Sequence, residues 1–400
     1  MSYALDWLNL LARWFHITAG ISWIGASFYF VWLDNHLLPA KDPADGADGV
    51  SGELWSVHGG GFYHNQKYPT GPKREPLTEH LHWFKWEAYS TWLSGMAMLA
   101  IVYWASAGTL MIDKSVLALT PAEAIGISVA SIALGWMVYD VLCKVLERQP
   151  IALGVAVYAF LAFAAWGLSH VFSARAAYIH VGAIIGTIMV ANVAYVIIPG
   201  QRKMLAQIRR GEEPDPRPGR LGKMRSVHNT YFTLPVLFTM ISNHYPMTYG
   251  SAYGWEALAV LSLASILVRQ FFLFTHKERY VPWLLAGAGV LVGVVALALV
   301  PRLPAVSKTV TFGDVQPIFE KRCAVCHASR PRQAGFAAAP EGVLLDTPEH
   351  IQANAARIEA QAVATRNMPL GNVTNMTNDE RAQIGAWISE GAKIGDAKQR

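Results

Sequence analysis

Residues 8–39 read LNLLARWFHITAGISWIGASFYFVWLDNHLLP. A bilayer core takes about 20 mainly apolar residues per helix, and this stretch exceeds that without a break. It also carries Arg13 and His16, three apart and so on one helical face. Trp23 follows seven residues after His16, on about the same face. Gly20 and Gly25 allow another helix or a flat ring to approach closely. Ionisable side chains at membrane depth are costly and mark functional positions by default.

Seven further apolar stretches follow, giving spans over residues 5–33, 87–107, 122–145, 150–170, 176–198, 228–243, 254–274 and 281–300. The composition agrees: of 400 residues, 53% are hydrophobic and only 15% charged, too apolar for an ordinary soluble domain. The net charge of +5 sits in the connections, which argues for topology and against nucleic-acid binding. Alternate connections hold seventeen Lys and Arg against two, Lys114 and Arg175, in the opposite set. The first set is therefore cytoplasmic, and the N-terminus and everything after residue 300 lie outside. The first apolar run has no basic leader and no small-residue cleavage site, so no cleavable signal peptide is expected.

The last hundred residues change character. FEKRCAVCHASR, residues 319–330, contains Cys323, Cys326 and His327 as C-x-x-C-H. Thiols at i and i+3 share a helical face and can form two thioethers to a haem edge, and the following His supplies an axial nitrogen. Downstream, residues 364–392 offer Met368-Pro369 in a loop. A helix follows, opened by Thr377 and Glu380 as a capping box and carrying Ile384, Trp387 and Ile388 at helical spacing. The tail resembles class I cytochrome c. The resemblance makes Met368 the second axial ligand in preference to Met376, so that His327 and Met368 hold the iron of one covalent haem c. The third cysteine, Cys143, is alone in an apolar helix and reads as packing.

The expected fold is all-α: an eight-helix transmembrane bundle over residues 1–303, then a class I cytochrome c-like domain over 304–400. Several polar positions inside or beside the bundle are candidates for chemistry. Imidazoles at depth can relay protons, bind substrate or ligate haem b, and His16 and His180 lie deepest in their helices. EHLHWFKWE, residues 79–87, crowds His82 and Glu87 at the inner mouth of the second span. Asp140 and Asn192 are further buried polar residues, and Arg269 is expected to snorkel to the inner surface. ELWSVHGGGFYHNQKYP, residues 53–69, lies in a long first cytoplasmic connection. Its glycines give either a flexible turn or a ligand-binding loop, with His58, Gly60 and Phe62 around a planar polar ligand. The Pro- and Gly-rich segment Arg209 to Arg225 reads as a mobile loop.

WFHITAGISWIGASFYF in the first span, WSVHGGGFY in the loop and the terminal C-x-x-C-H together resemble the membrane-bound bacterial urate oxidase family, whose members carry a fused cytochrome c. The resemblance covers essentially the whole chain. It implies a urate hydroxylase that converts urate and water into 5-hydroxyisourate, two electrons and two protons. The electrons pass through the fused haem c to a respiratory cytochrome or terminal oxidase, and no hydrogen peroxide is released. It also implies residence in the bacterial inner membrane, among lipid, with the cytochrome domain periplasmic. On this reading Arg13, His16, His82 and Glu87 are catalytic, and Trp23, His58, Gly60 and Phe62 bind substrate. The first span is also similar to a wider group of membrane proteins, some of which bind haem b through a histidine matching His16; His180 would be its partner. The rival reading is a quinol:cytochrome c oxidoreductase module. Against it, a two-haem cytochrome b pairs histidines at two levels of the same helices, and the first span has no second histidine at depth.

Overall fold

The computed structural model describes residues 3–74, 77–300, 309–333 and 336–395. The chain is mostly helical. Helix α1 (Tyr3–His36) leads through the short α2 (Pro43–Asp48) into a two-stranded antiparallel hairpin, β1 (Gly52–His58) and β2 (Gly61–Lys67). Then come α3 (Trp86–Met98), extended by a wider π-turn to Trp104, and the short α4 (Ala107–Leu110). Helices α5 (Pro121–Val145), α6 (Pro150–Ser169) and α7 (Ala174–Ala191) follow; α7 runs through a second π-turn into α8 (Ile198–Arg209). Helices α9 (Arg217–Ile241), α10 (Pro246–Tyr249), α11 (Gly254–Thr275) and α12 (Trp283–Ala298) complete the apolar part. The tail holds α13 (Phe312–Arg322), α14 (Pro348–Ala353), α15 (Ala355–Ile358) and α16 (Asn378–Ser389).

Each of the eight apolar stretches falls on helix. Among the described residues, four helical segments are long and apolar enough to cross a membrane: Pro121–Val145, Pro150–Ser169, Ala174–Arg209 and Gly254–Thr275. Trp283–Ala298 is equally apolar but shorter. Exposed Val141, Val155, Phe163, Val290 and Leu297 on their outer faces are consistent with a lipid-facing surface. The starts are encoded locally. Thr120 accepts a hydrogen bond from the Glu123 amide while Glu123 accepts from the Thr120 amide, and Pro121 takes the first helical position, where its missing N–H costs nothing. Helix α7 is the hub of the bundle, buried along most of its length between α5, α6 and α9. Its core neighbours include Tyr139, Leu153 and Phe172.

Two expectations are corrected. The helical chain carries one exception, a β-hairpin, and the glycine-rich loop is its tip. Gly59 and Gly60 sit at φ +59° and +81°, the two-residue turn with both central residues left-handed that matches strand twist. Nor is the segment from Arg209 to Arg225 one mobile loop. Helix α8 runs up to Arg209 and α9 starts at Arg217, so only residues 210–216 connect them. The boundary placed between residues 303 and 304 lies outside the described residues.

The tail packs around Val315, Phe319, Ile384 and Trp387. Thr377 and Glu380 form the capping box read from the sequence. Glu380 also pairs with Arg322 of α13 at 2.9 Å, tying the first and last tail helices together. The tail rests on one end of the bundle. Tyr249 donates to Asn367 Oδ1 at 3.0 Å, and the Arg366 amide donates to the Gly250 carbonyl at 3.4 Å. At Gly371 (φ +54°) the tail backbone lies directly on the Thr109 and Ile112 carbonyls, where any Cβ would collide.

Candidate functional site

His16 faces α3. Its Nδ1 lies 3.0 Å from both the Thr91 carbonyl and Ser94 Oγ. Ser94 already donates its own hydrogen to the Ser90 carbonyl, and a carbonyl can only accept, so Nδ1 is the protonated nitrogen. Nε2 therefore keeps its lone pair. Gly95 makes the approach possible: a Cβ there would lie 3.1 Å from the imidazole Cε1. Arg13, one turn nearer the tail, donates from Nε to Asn9 at 2.7 Å. Its charge and that of Arg175 both act on the Tyr103 hydroxyl. Tyr103 donates to Asn243 at 3.0 Å, and Arg175 Nε donates to the same oxygen at 3.1 Å. Trp23 packs in the core between α1 and its neighbours rather than on an open site.

The structure does not assemble His16 and His180 as a haem pair. His180 is fully buried. Its Nδ1 donates to the Ala176 carbonyl at 2.7 Å. Ser128 Oγ accepts from Trp104 and lies 2.7 Å from His180 Nε2, so it donates there. The ring stacks on Phe172 with centroids 4.5 Å apart. Both nitrogens are spent, which leaves none for iron without repacking α5 against α7.

The residues expected at the inner mouth separate into two places. His82 Nε2 and Glu87 Oε1 are 4.0 Å apart, and Glu87 Oε2 is buried without a partner. His58, Gly60 and Phe62 lie at the hairpin tip, with Phe62 77% exposed. There the glycines serve the turn, and no hydrogen bond joins the three to Arg13, His16, His82 or Glu87 among the described residues. The hairpin is anchored at its base. Glu53 accepts from the Lys41 amide at 3.0 Å and meets His64 Nε2 at 2.9 Å, and these contacts hold its carboxyl below the usual range.

One polar network was only partly legible. Asp140 accepts from Arg225 at 2.7 Å, Arg225 donates to Asn192 at 3.3 Å, and Asn192 donates to Tyr139 at 3.0 Å. Tyr139 then donates to His228 Nδ1 at 2.8 Å. Asp140 and Asn192 stood out as buried polar residues in apolar runs. Arg225 did not, because it looked like one more loop cation.

A cavity lies where the tail meets the bundle. It measures about 740 Å³, and its walls include Arg175, Tyr178 and Tyr249 from the bundle and Arg366, Asn367 and Arg381 from the tail. Lys114 and Asp113 also line it. None of the four cations forms an ion pair among the described residues, so the cavity carries excess positive charge. Burial, then the neighbouring Arg366 guanidinium, brings Arg381 down to about 10. A compact anion bound there would relieve that repulsion.

In the tail, the Cys326 and His327 amides both donate to the Cys323 carbonyl, at 3.1 and 2.9 Å, placing the two thiols and the imidazole on one turn. His327 Nδ1 donates to the Val343 carbonyl at 3.0 Å, which fixes the tautomer and frees Nε2. Burial pushes the Cys323 thiol up to about 12. Met376 is buried in the tail core, and Met368 and Cys323 pack against that core. This donor set fits a covalently held haem. Among the described residues no three His, Cys, Asp or Glu side chains converge as a bare-ion site.

The model of the urate oxidase N-terminal family matches residues 2–300, three quarters of the chain, and the chain belongs to that family. No curated protein and no solved structure matches it. Membership points to an oxidoreductase of urate-related chemistry.

Proposed function

We propose that this member of the urate oxidase N-terminal family is a membrane urate hydroxylase. It converts urate and water into 5-hydroxyisourate, two electrons and two protons, without releasing hydrogen peroxide. The observation that carries the reading is the cationic cavity of about 740 Å³ between the family-matched bundle and the C-x-x-C-H tail. Urate is a planar anion at neutral pH. Arg175 and Arg366 supply unpaired charge to hold it, and Tyr249 and Tyr178 form part of the wall, their hydroxyls already donating to Asn367 and the Gly254 carbonyl. Arg13 adds positive potential behind Tyr103. His16 keeps a free Nε2 but does not line this cavity, so no base role on the bound urate is given to it.

Cys323 and Cys326 would hold a c-type haem through thioethers, and His327 Nε2 and Met368 would be its iron ligands. Such a group accepts and passes on one electron at a time. Placing the substrate at the junction removes a distance problem: an inner-mouth site would lie across a hydrocarbon core about 30 Å thick from the tail. The distribution of Lys and Arg supports eight spans in a bacterial inner membrane, with the N-terminus and tail periplasmic and a respiratory cytochrome or terminal oxidase as acceptor.

A second reading, a quinol:cytochrome c oxidoreductase module, is favoured by one observation. An apolar cleft of about 570 Å³ between α6, α7, α9 and α11 is lined by His228, Tyr231 and Gln270 at its polar end. Anaerobic reduction tests separate the two. Urate reducing the c-type bands, with Met368→Ala weakening the low-spin signature, supports the hydroxylase. Reduction by a quinol and not by urate would replace it.

A further inference from the structure

Arg269 stands apart from every group used above. It lies on α11, six residues before the helix end, or about 9 Å along the axis at 1.5 Å per residue. An arginine so close to the end should snorkel, its head reaching the surface. Instead it is 7% exposed, and its Nε and Nη2 are buried without a hydrogen-bond partner. No carboxylate pairs with it among the described residues. Its guanidinium sits over the Phe28 ring of α1, with 5.7 Å from Cζ to the centroid, and Tyr231 of α9 is near enough to act on its charge. Tyr231 donates to Gln270, and its oxygen accepts from neither Nε nor Nη2 of the arginine.

Buried polar groups are almost always paired, and a lone buried cation is among the costliest exceptions. The two unpaired donors are not a random pair. Nε–H and Nη2–H lie on the same edge of the guanidinium and point in parallel, the arrangement that grips two adjacent acceptor atoms at once. The other unpaired arginine donor in the bundle, Arg225 Nε, belongs to a side chain already neutralised by Asp140. Arg269 has no such counterion.

We propose that Arg269 forms an anion-binding site inside the bundle, toward the inner end of α11, separate from the junction cavity. The occupant presents two neighbouring acceptors edge-on to Nε and Nη2. Two sources share that chemistry: a planar organic monoanion such as urate, through an N–C–O edge, and the phosphate of an anionic lipid. Only the urate source rests on the proposed function.

The test uses the full-length, haem-loaded protein in nanodiscs. Dithionite keeps it reduced so that bound urate cannot react. With radiolabelled urate in neutral-lipid discs, wild type is expected to bind two equivalents. Arg269→Gln should bind one, or weaken one site by about tenfold or more, as removal of a charge-assisted pair predicts. Arg269→Lys, which keeps the charge but not the fork, should fall between, and Arg175→Gln should remove the other equivalent. In the lipid arm, wild type purified with phosphatidylglycerol should retain one tightly held molecule that Arg269→Gln loses. Loss in either arm supports the site and identifies its source. Urate stoichiometry and retained lipid both unchanged by Arg269→Gln and Arg269→Lys would overturn it. If wild type fails to bind or oxidise urate yet retains the Arg269-dependent lipid, the functional reading fails while this site stands.

Discussion

Replacing Arg175 with glutamine tests the junction cavity most cleanly. Arg175 enters from the first turn of α7 and is steadied through Nε by Asn243, which also accepts from Tyr103. The Tyr103–Asn243 bond survives the substitution, so the wall keeps its shape while one unpaired charge disappears. A hydrogen bond to a charged group contributes about 1.5–3 kcal/mol. Because about 1.4 kcal/mol is a factor of ten, the KM for urate should rise by about 10- to 150-fold. If the arginine binds substrate and transition state alike, kcat should change little. Arg175→Lys should recover part of the loss, since it restores charge without the planar fork. The assay is anaerobic steady-state reduction of an added cytochrome, with the visible spectrum confirming intact haem c. A KM within a factor of two of wild type for both variants would refute the placement of urate in this cavity.

Cys323→Ala should remove one thioether and with it most turnover, read as loss of covalent haem staining; full activity without covalent haem would sink the role given to the tail. His180→Ala should destabilise the bundle by about 3–5 kcal/mol, from the cavity beside Phe172 and the stranded Ser128 hydroxyl, without changing haem content. Loss of a b-type band in that variant would contradict the packing role. The tail should also loosen in acid. The Ser329 amide and then His350 hold Asp346 down to about 2. Burial alone would raise Glu380, but the Arg322 hydrogen bond and its companions outweigh it and hold it below the usual range. Carboxylates with depressed folded values stabilise above the unfolded value near pH 4 and lose that contribution as pH falls through the folded one. Near-ultraviolet circular dichroism of the tail should therefore change between about pH 4 and 2, and a flat profile would contradict the pairing.

The helical framework and the start of the last tail helix were legible because both rest on local pattern. Apolar runs set α5, α6, α7 and α11, and the Thr377–Glu380 box set the start of α16. The hairpin was missed because three consecutive glycines permit many turns. Only pairing of Trp55 with His64 and its neighbours selects this one. The extension of α9 back to Arg217 was hidden by Pro218 and Gly219, which read as breakers but fall in a first helical turn, where a missing N–H is tolerated. His180 looked functional by depth, and what it touches gave it a packing role instead. Arg175 and Arg269 were each visible in the sequence. Their importance depends on what does not surround them, and no linear pattern records the absence of a counterion.

The central claim is that urate gives its electrons to this chain. Its direct test is a visible spectrum of membranes holding the oxidised full-length protein, recorded before and after urate is added without oxygen. The account predicts reduced c-type bands that vanish in Cys323→Ala and need more urate in Arg175→Gln. Bands that stay oxidised with urate but reduce promptly with a quinol would contradict it.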